Sequence, residues 1–217
     1  MIDKTEAISL HYIKYGESSI IVRMLTRKFG IQSFIVNGVR SSKAKHNISF
    51  FQPLTLLDLV VYYHERKSLQ RIAEMKSLYA YRSIPYDIRK TSIALFMAEM
   101  IYKTTKEEEN NDSLFSFLIN SLKYLDQENV HISNFHLLFL IQLTVYIGID
   151  IRYETENTNM LYGREQVVFN QLLNNENIAL QHQERQKYLK IILKHYKQHF
   201  DTLKDIPTLR VLTDVLN

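Results

Sequence analysis

Five short stretches with the pattern of half-buried β-strands lie in the first part of the chain and constrain its fold most strongly. In the first of them, Ile8, Leu10 and Tyr12 alternate with polar residues, which is the period of two that a strand with one buried face requires. Gly30 can take the positive φ that a hairpin turn needs between the second and third stretches. The predicted strands are Thr5–Lys14, Ser19–Thr26, Ile31–Val39, Leu54–Tyr63 and Leu69–Met75.

Five short antiparallel strands are too few for a sandwich, and a small closed barrel hides their edges economically. The sequence therefore predicts a five-stranded OB-like β-barrel, and an SH3-like barrel is the structural alternative. Either barrel places the basic residues of the connecting segments at loop tips.

The rest of the chain has the period of amphipathic helices, so the fold class is α+β. Ile93, Phe96 and Met100 belong to one apolar stripe, and the run after Ser133 is apolar almost all round, which predicts a central buried helix. The segment from Asp150 to Gly163 has no clear period. The predicted helices are Asp87–Thr105, one capped by Asp112 or Ser113, Asn134–Ile147, Arg164–Asn174, Gln183–Phe200 and Thr208–Leu216.

The junction between the two halves is short. Pro85 stops a helix from continuing through it, so we place the boundary near Tyr81, with a DNA-binding barrel domain at residues 1–80 and a helical domain at 81–217. No Gly- or Ser-rich linker separates the halves, and we expect them to pack against each other.

Charge is distributed unevenly along the chain. Residues 1–82 carry 13 Lys and Arg against 6 Asp and Glu, a net of +7, whereas the remaining residues carry 14 against 17, a net of −3. A basic barrel suits phosphate groups, so the first half is the candidate nucleic-acid-binding part.

The candidate DNA contacts are the basic residues expected at the loop tips. They are Arg27, Lys28, Arg40, Lys43, Lys45, Arg66 and Lys67. Small barrels of this kind pair a cationic groove with aromatic rings on which bases stack. The aromatic candidates, each of which could equally be core, are Tyr12, Tyr15, Phe29, Tyr62 and Tyr63. A basic loop can also be a solvated surface turn.

Several kinds of chemistry have no support in the sequence. With no cysteine, the chain has no disulfide and no thiolate zinc site. The five glycines form no phosphate-binding loop, and no nucleophile elbow or zinc-protease helix occurs, so we expect neither an enzyme nor a cofactor. No apolar run approaches the roughly 20 residues of a membrane span and no signal peptide is evident, which predicts a cytoplasmic protein.

A cluster of lysines marks the helix predicted near the carboxyl end of the chain. Lys187, Lys190, Lys194 and Lys197 fall there at helical spacing. The cluster is either a secondary contact for DNA or an acidic peptide, or a solvated helix face.

Three segments near the amino terminus resemble the signature of the bacterial RecO DNA repair family. They are Lys14 to Val22, then Phe29-Gly30, then Asn37 to Lys43, and the resemblance continues through most of residues 1–150. Many members of this family carry a four-cysteine zinc site soon after the glycine that matches Gly148. This chain cannot supply those ligands, which predicts a shortened or metal-free loop there.

The resemblance implies a function without catalysis. RecO proteins are recombination mediators that bind single- and double-stranded DNA and anneal complementary strands. They act with RecR to load RecA onto DNA covered by single-strand binding protein, which implies a nucleoid-associated protein here.

The family also recognises the acidic carboxyl-terminal tail of the single-strand binding protein. The candidate tail contacts by charge are Arg89, Lys90, Lys103 and Lys106. The alternatives to a DNA-binding barrel are a protein-interaction adaptor whose basic loops serve solubility, and an RNA-binding barrel.

Overall fold

A closed five-stranded barrel forms the first part of the molecule in a computed structural model, which describes residues 2–40, 47–105, 111–155, 161, 163–176 and 178–216. The strands are β1 (Ile2–Tyr15), β2 (Ser19–Thr26), β3 (Gly30–Val36), β4 (Leu56–Tyr62) and β5 (Leu69–Ser77). They close in the order β1-β2-β3-β5-β4. All pairs are antiparallel except β3 with β5. This arrangement confirms the OB-like prediction over the SH3-like one.

The long first strand joins the two edges of the barrel. The first half of β1, from Ile2 to Ile8, pairs with β4, and the second half, from Ala7 to Tyr15, pairs with β2. A bulge between Ser9 and His11 bends the strand where the two halves meet. At the bulge, the backbone of Ser9 bonds to Leu54 and Thr55. Leu54 has a positive φ of 64° there, so β4 begins at Leu56, two residues later than predicted.

Seven helices follow among the described residues. They are α1 (Ile88–Thr104), α2 (Asp112–Leu125), α3 (Phe135–Tyr146), α4 (Ile151–Thr155), α5 (Arg164–Leu173), α6 (His182–His199) and α7 (Pro207–Val215). Six match predicted helices within one or two residues. The exception is α4, because five residues are too few to display a helical period. The cap of α2 is Asn111, whose side chain accepts from the N–H of Leu114 at 2.8 Å, so the prediction of Asp112 or Ser113 as the cap was wrong by one or two residues. No described helix has both the length and the apolar character needed to span a membrane.

The central helix is α3, as predicted, and eight of its twelve residues are buried. His136 on this helix is 3% exposed. Burial lowers its pKa to about 3, with Arg185 adding repulsion, so the imidazole is neutral at physiological pH. Its Nδ1 has no hydrogen-bond partner among the described residues.

Alternation along the strands divides the apolar residues between two cores. Inward-facing side chains such as Val22, Met24 and Phe34 fill the barrel. Outward-facing Leu25 and Ile31 belong instead to the core of the helices. Because the helices pack directly on one side of the barrel, the two halves share a continuous apolar core.

One carboxylate fixes the segment that joins barrel to helices. Asp126, at the end of α2, is 3% exposed and accepts hydrogen bonds from the N–H groups of Arg82, Ser83 and Ile84 at 2.9–3.1 Å. It also accepts from the hydroxyl of Tyr79 at 3.1 Å. Burial alone would raise the pKa of Asp126, but the backbone donors outweigh it and lower the pKa below its ordinary value.

We predict that Asp126→Asn lowers the free energy of unfolding by about 3 kcal/mol, because an amide turns an N–H₂ group toward buried donors. Urea unfolding measures this, and Asp214→Asn on the exposed side of α7 is the matched control.

The pH dependence gives a second readout of the same change. A lowered native pKa stabilises the protein fully above the ordinary value of 3.8, and this stabilisation disappears as the pH falls through the native pKa. Asp126→Asn shows no such loss of stability at acid pH, because its amide does not titrate there. Equal unfolding free energies for Asp126→Asn and Asp214→Asn would contradict the assignment.

Candidate nucleic-acid interface

The side of the barrel that the helices leave uncovered carries a row of outward side chains across four strands. Ile13 of β1 pairs with Ile21 of β2, Ile21 with Ile35 of β3, and Ile35 with Arg71 of β5. Side chains on neighbouring strands at paired positions lie on the same face. We call these four residues the outer β-face. Ile13 is 52% exposed, so the face presents an apolar strip to solvent.

The outer β-face adjoins aromatic and cationic groups that the loop-based prediction missed. The guanidinium of Arg23 lies 5.1 Å from the ring centroid of Tyr102 on α1, and the ring of His11 lies 5.4 Å from the same ring. Arg71 is exposed. Both arginines could have been predicted from the sequence, because the alternation along their strands places Arg23 and Arg71 at outward-facing positions.

The turn between β4 and β5 displays Arg66 and Lys67, both exposed, at one end of the strands. The buried side chain of Gln70 holds this turn. Its Nε2 donates to the carbonyls of His64 and Lys67 at 2.9 and 2.7 Å, and its Oε1 accepts from the N–H of His64 at 2.9 Å. The two cations are therefore presented by a braced turn.

The hairpin between β2 and β3 lies at the same end. Phe29 stacks on Tyr63 with centroids 3.9 Å apart, so these two predicted stacking aromatics contact each other. The exposed Lys28 lies 5.3 Å from the Phe29 ring and forms an ion pair with Asp3. Among the other aromatic candidates, Tyr15 and Tyr62 are 50% and 45% exposed.

Arg27 has a structural position between the barrel and the helices. Its guanidinium pairs with Glu6 of β1 at 2.6 Å and with Asp112 of α2. It also lies 4.6 Å from the ring of Phe115. Glu6 and Asp112 compensate its charge, so Arg27 ties the two halves together and has less charge to offer a phosphate than a solvated cation has.

Arg40 lies at the opposite end of the strands, beside the turn between β1 and β2. Its N–H donates to the carbonyl of Ser18 at 2.9 Å and its side chain donates to the carbonyl of Gly16 at 3.3 Å. The side chain remains exposed. Lys43 and Lys45 lie outside the described residues.

The structure describes three of the four cations proposed for the partner tail. Lys90 is 4% exposed and donates to Ser83 Oγ and the carbonyl of Gln127, so a partner has no access to it. Lys103 pairs with Glu99 at 2.7 Å, and the exposed Arg89 pairs with Asp87 at 3.0 Å. Lys106 lies outside the described residues. Spacing on α1 did not reveal that Lys90 faces the domain junction.

A groove of about 720 Å³ between α2 and α3 is a second candidate surface. Five aromatic rings stack along it within 16° of parallel at centroid distances of 4.5–6.5 Å. In contact order they are Tyr124, Phe135, Phe139, Phe117 and Tyr146. The rim carries hydroxyl, amide and imidazole groups. Lys123, exposed on α2 next to Tyr124, has its ammonium 5.7 Å from the ring of Tyr79. Such a groove suits apolar side chains of a partner segment.

Metal chemistry has no visible basis in the described part of the chain. No three His, Cys, Asp or Glu side chains there are grouped so that they could hold a metal ion. The ring centroids of His195 and His199 lie 4.9 Å apart, and His195 Nε2 lies 2.5 Å from the carbonyl oxygen of Ile149.

Comparison with known proteins identifies relatives of both halves. Residues 1–81 match the family described as recombination protein O N terminal, and residues 85–156 match recombination protein O C terminal. The DNA repair protein RecO of Flavobacterium psychrophilum is 34% identical over an alignment of 236 positions, gaps included, that covers 99% of each chain. The RecO proteins of Bacteroides fragilis and Phocaeicola vulgatus are 43% and 40% identical over 149 residues, covering 69% of this chain and 62% of theirs. The chain therefore belongs to the RecO family of DNA repair proteins.

Proposed function

We propose that this protein is a non-catalytic recombination mediator that binds single- and double-stranded DNA and anneals complementary strands. Residues 1–80 are the DNA-binding domain and residues 81–217 are the helical domain. The proposal extends to the family's partners, RecR and the RecA recombinase on DNA covered by single-strand binding protein, and to a cytoplasmic, nucleoid-associated location.

The observation that carries the proposal is the outer β-face between two cationic ends. Arg66 and Lys67 lie at one end of the strands, Arg40 at the other, and Arg71 between them. A seven-residue strand such as β3 is about 23 Å long, so these cations are spread over the length of several nucleotides. The exposed Tyr15 and the apolar strip beside them offer surfaces on which unpaired bases can stack.

This arrangement suits annealing without nucleotide hydrolysis. Two DNA strands repel each other through their phosphates, and lysine and arginine contacts neutralise that charge and release counterions. Contacts to the backbone need no sequence register, because base edges carry the sequence information and phosphates do not. A cationic barrel can therefore bring together strands of any complementary sequence.

We predict that Arg66→Gln/Lys67→Gln weakens binding to single-stranded DNA. The negative slope of log affinity against log salt should become shallower by about 1.4, since each phosphate contact contributes about −0.7. Fluorescence anisotropy with a labelled oligonucleotide across a salt series measures the slope.

The matched control is Lys76→Gln/Arg210→Gln, which also removes two positive charges. Lys76 pairs with Asp58 at 3.0 Å on the far part of β5, and Arg210 is exposed on α7. The control should keep the wild-type slope. Equal slopes for both double variants would contradict DNA binding by the β4–β5 turn.

Two alternatives give different results in the same assay. A protein-interaction adaptor whose basic loops serve solubility would bind no oligonucleotide even at low salt. An RNA-binding barrel would prefer RNA when DNA and RNA oligomers of one sequence compete.

We propose that the tail of the single-strand binding protein binds in the groove between α2 and α3. An acidic, amphipathic segment needs apolar surface for its side chains and cations for its carboxylates. The stacked rings supply the first, and Lys123, the exposed cation next to Tyr124 on α2, is the candidate for the second. Arg89 and Lys103 on α1 are the alternative contacts.

We predict that Lys123→Gln/Tyr124→Ser weakens a synthetic tail peptide about tenfold, because Tyr124 is the exposed end of the aromatic stack and truncating such an anchor costs more than 1 kcal/mol. Calorimetry measures the affinity. Arg89→Gln/Lys103→Gln should bind the peptide like the wild type. Wild-type affinity in Lys123→Gln/Tyr124→Ser, together with weaker binding in Arg89→Gln/Lys103→Gln, would place the tail at α1 instead.

A further inference from the structure

The lysine cluster of α6 forms one continuous stripe on the exposed side of that helix. At 3.6 residues per turn, Lys187, Lys190, Lys194 and Lys197 fall within an arc of about 80°. All four are exposed. With a rise of 1.5 Å per residue, they extend over about 15 Å of the helix. We call these four residues the α6 stripe.

The opposite side of α6 is held firmly in the helical core. Tyr188, Leu189, Ile192 and Tyr196 are buried there, and the hydroxyl of Tyr196 donates to the carbonyl of Leu140 on α3 at 2.7 Å. The helix also begins with a capping box between Gln181 and Glu184. A helix anchored along one side presents its other side in a fixed position.

The positive charge of α6 stands out from the domain around it. The helix has five Lys and Arg against one acid, a net of +4, although residues 83–217 together have a net charge of −3. Its acid, Glu184, takes part in the capping box, and Glu165 on α5 pairs with Lys187 at the start of the stripe. Positive charge is therefore concentrated on this helix, and the rest of the domain is net negative.

The α6 stripe and the outer β-face are separate surfaces. The barrel contacts the helical domain through α1 and, at Arg27, through α2. Helix α6 packs instead on α3 and on the segment Asp201–Leu203. A ligand on one surface therefore leaves the other surface accessible.

We propose that the α6 stripe is a second nucleic-acid site, which holds the phosphate backbone of the second strand while the barrel holds the first. This inference rests on the proposed annealing function and adds to it the location of the second strand. Four cations spread over about 15 Å can contact several phosphates of one strand at once, which a single surface cation cannot do. With a strand on each surface, one molecule could raise the local concentration of one strand near the other.

Nucleic acid fits the α6 stripe better than an acidic peptide does. The exposed residues beside the lysines, Gln183 and Gln198, are polar and offer little apolar surface for peptide side chains. Lysine is a mobile point charge, which suits phosphates whose spacing varies.

The test measures capture of a second strand and annealing with the full chain. The protein is first saturated with an unlabelled oligonucleotide, and a labelled, non-complementary oligonucleotide is then titrated in. In Lys190→Gln/Lys197→Gln we expect the affinity for the second strand to fall about tenfold. The negative slope of its log affinity against log salt should become shallower by about 1.4. The rate of annealing of complementary strands should fall by a similar factor, while affinity for the first strand stays within twofold of the wild-type value.

Lys76→Gln/Arg210→Gln is again the control, and it should behave like the wild type in both measurements. Wild-type capture and annealing by Lys190→Gln/Lys197→Gln would overturn the inference and leave DNA binding by the barrel intact. Capture by the α6 stripe of an acidic peptide but not of the second oligonucleotide would overturn it too. Failure of the wild-type protein to bind any oligonucleotide would contradict the proposed function itself, and this inference with it.

Discussion

The hydrogen bonds that Asp126 accepts from the backbone of Arg82, Ser83 and Ile84 set the relation between the two halves of the molecule. Without them, the junction would be a short irregular segment with unpaired donors next to an apolar core. With them, one outward side of the barrel packs against the helices and contributes to their apolar core. The other outward side is exposed to solvent as the outer β-face, and the helical domain keeps a fixed position relative to it.

The basic residues divide according to where this packing leaves them. Arg27 and Lys90 lie at the contact between the halves, where carboxylate, hydroxyl or carbonyl oxygens compensate their charge. Arg40, Arg66 and Lys67 lie at exposed turns. Net charge along the sequence therefore identifies the half that suits phosphates, whereas burial decides which cations a ligand could reach.

Local pattern predicted the elements well, because alternation, capping residues and helical period are local properties. The strands from Ser19 and Leu69 begin at the predicted residues, and the class and barrel type are confirmed. The parallel pairing of β3 with β5 depends on closure of the whole barrel, so no local pattern contained it. Likewise, the burial of Lys90 and the aromatic groove between α2 and α3 arise from helix packing, which residue spacing alone does not define.

Hydrogen–deuterium exchange on the full chain, with and without a single-stranded oligonucleotide, tests the central claim most directly. At a limiting amount of DNA, the account predicts slower exchange at the outer β-face and its turns, namely in residues 11–23, 31–40 and 63–71. Unchanged exchange in these segments while the protein is saturated with DNA would contradict binding by the barrel.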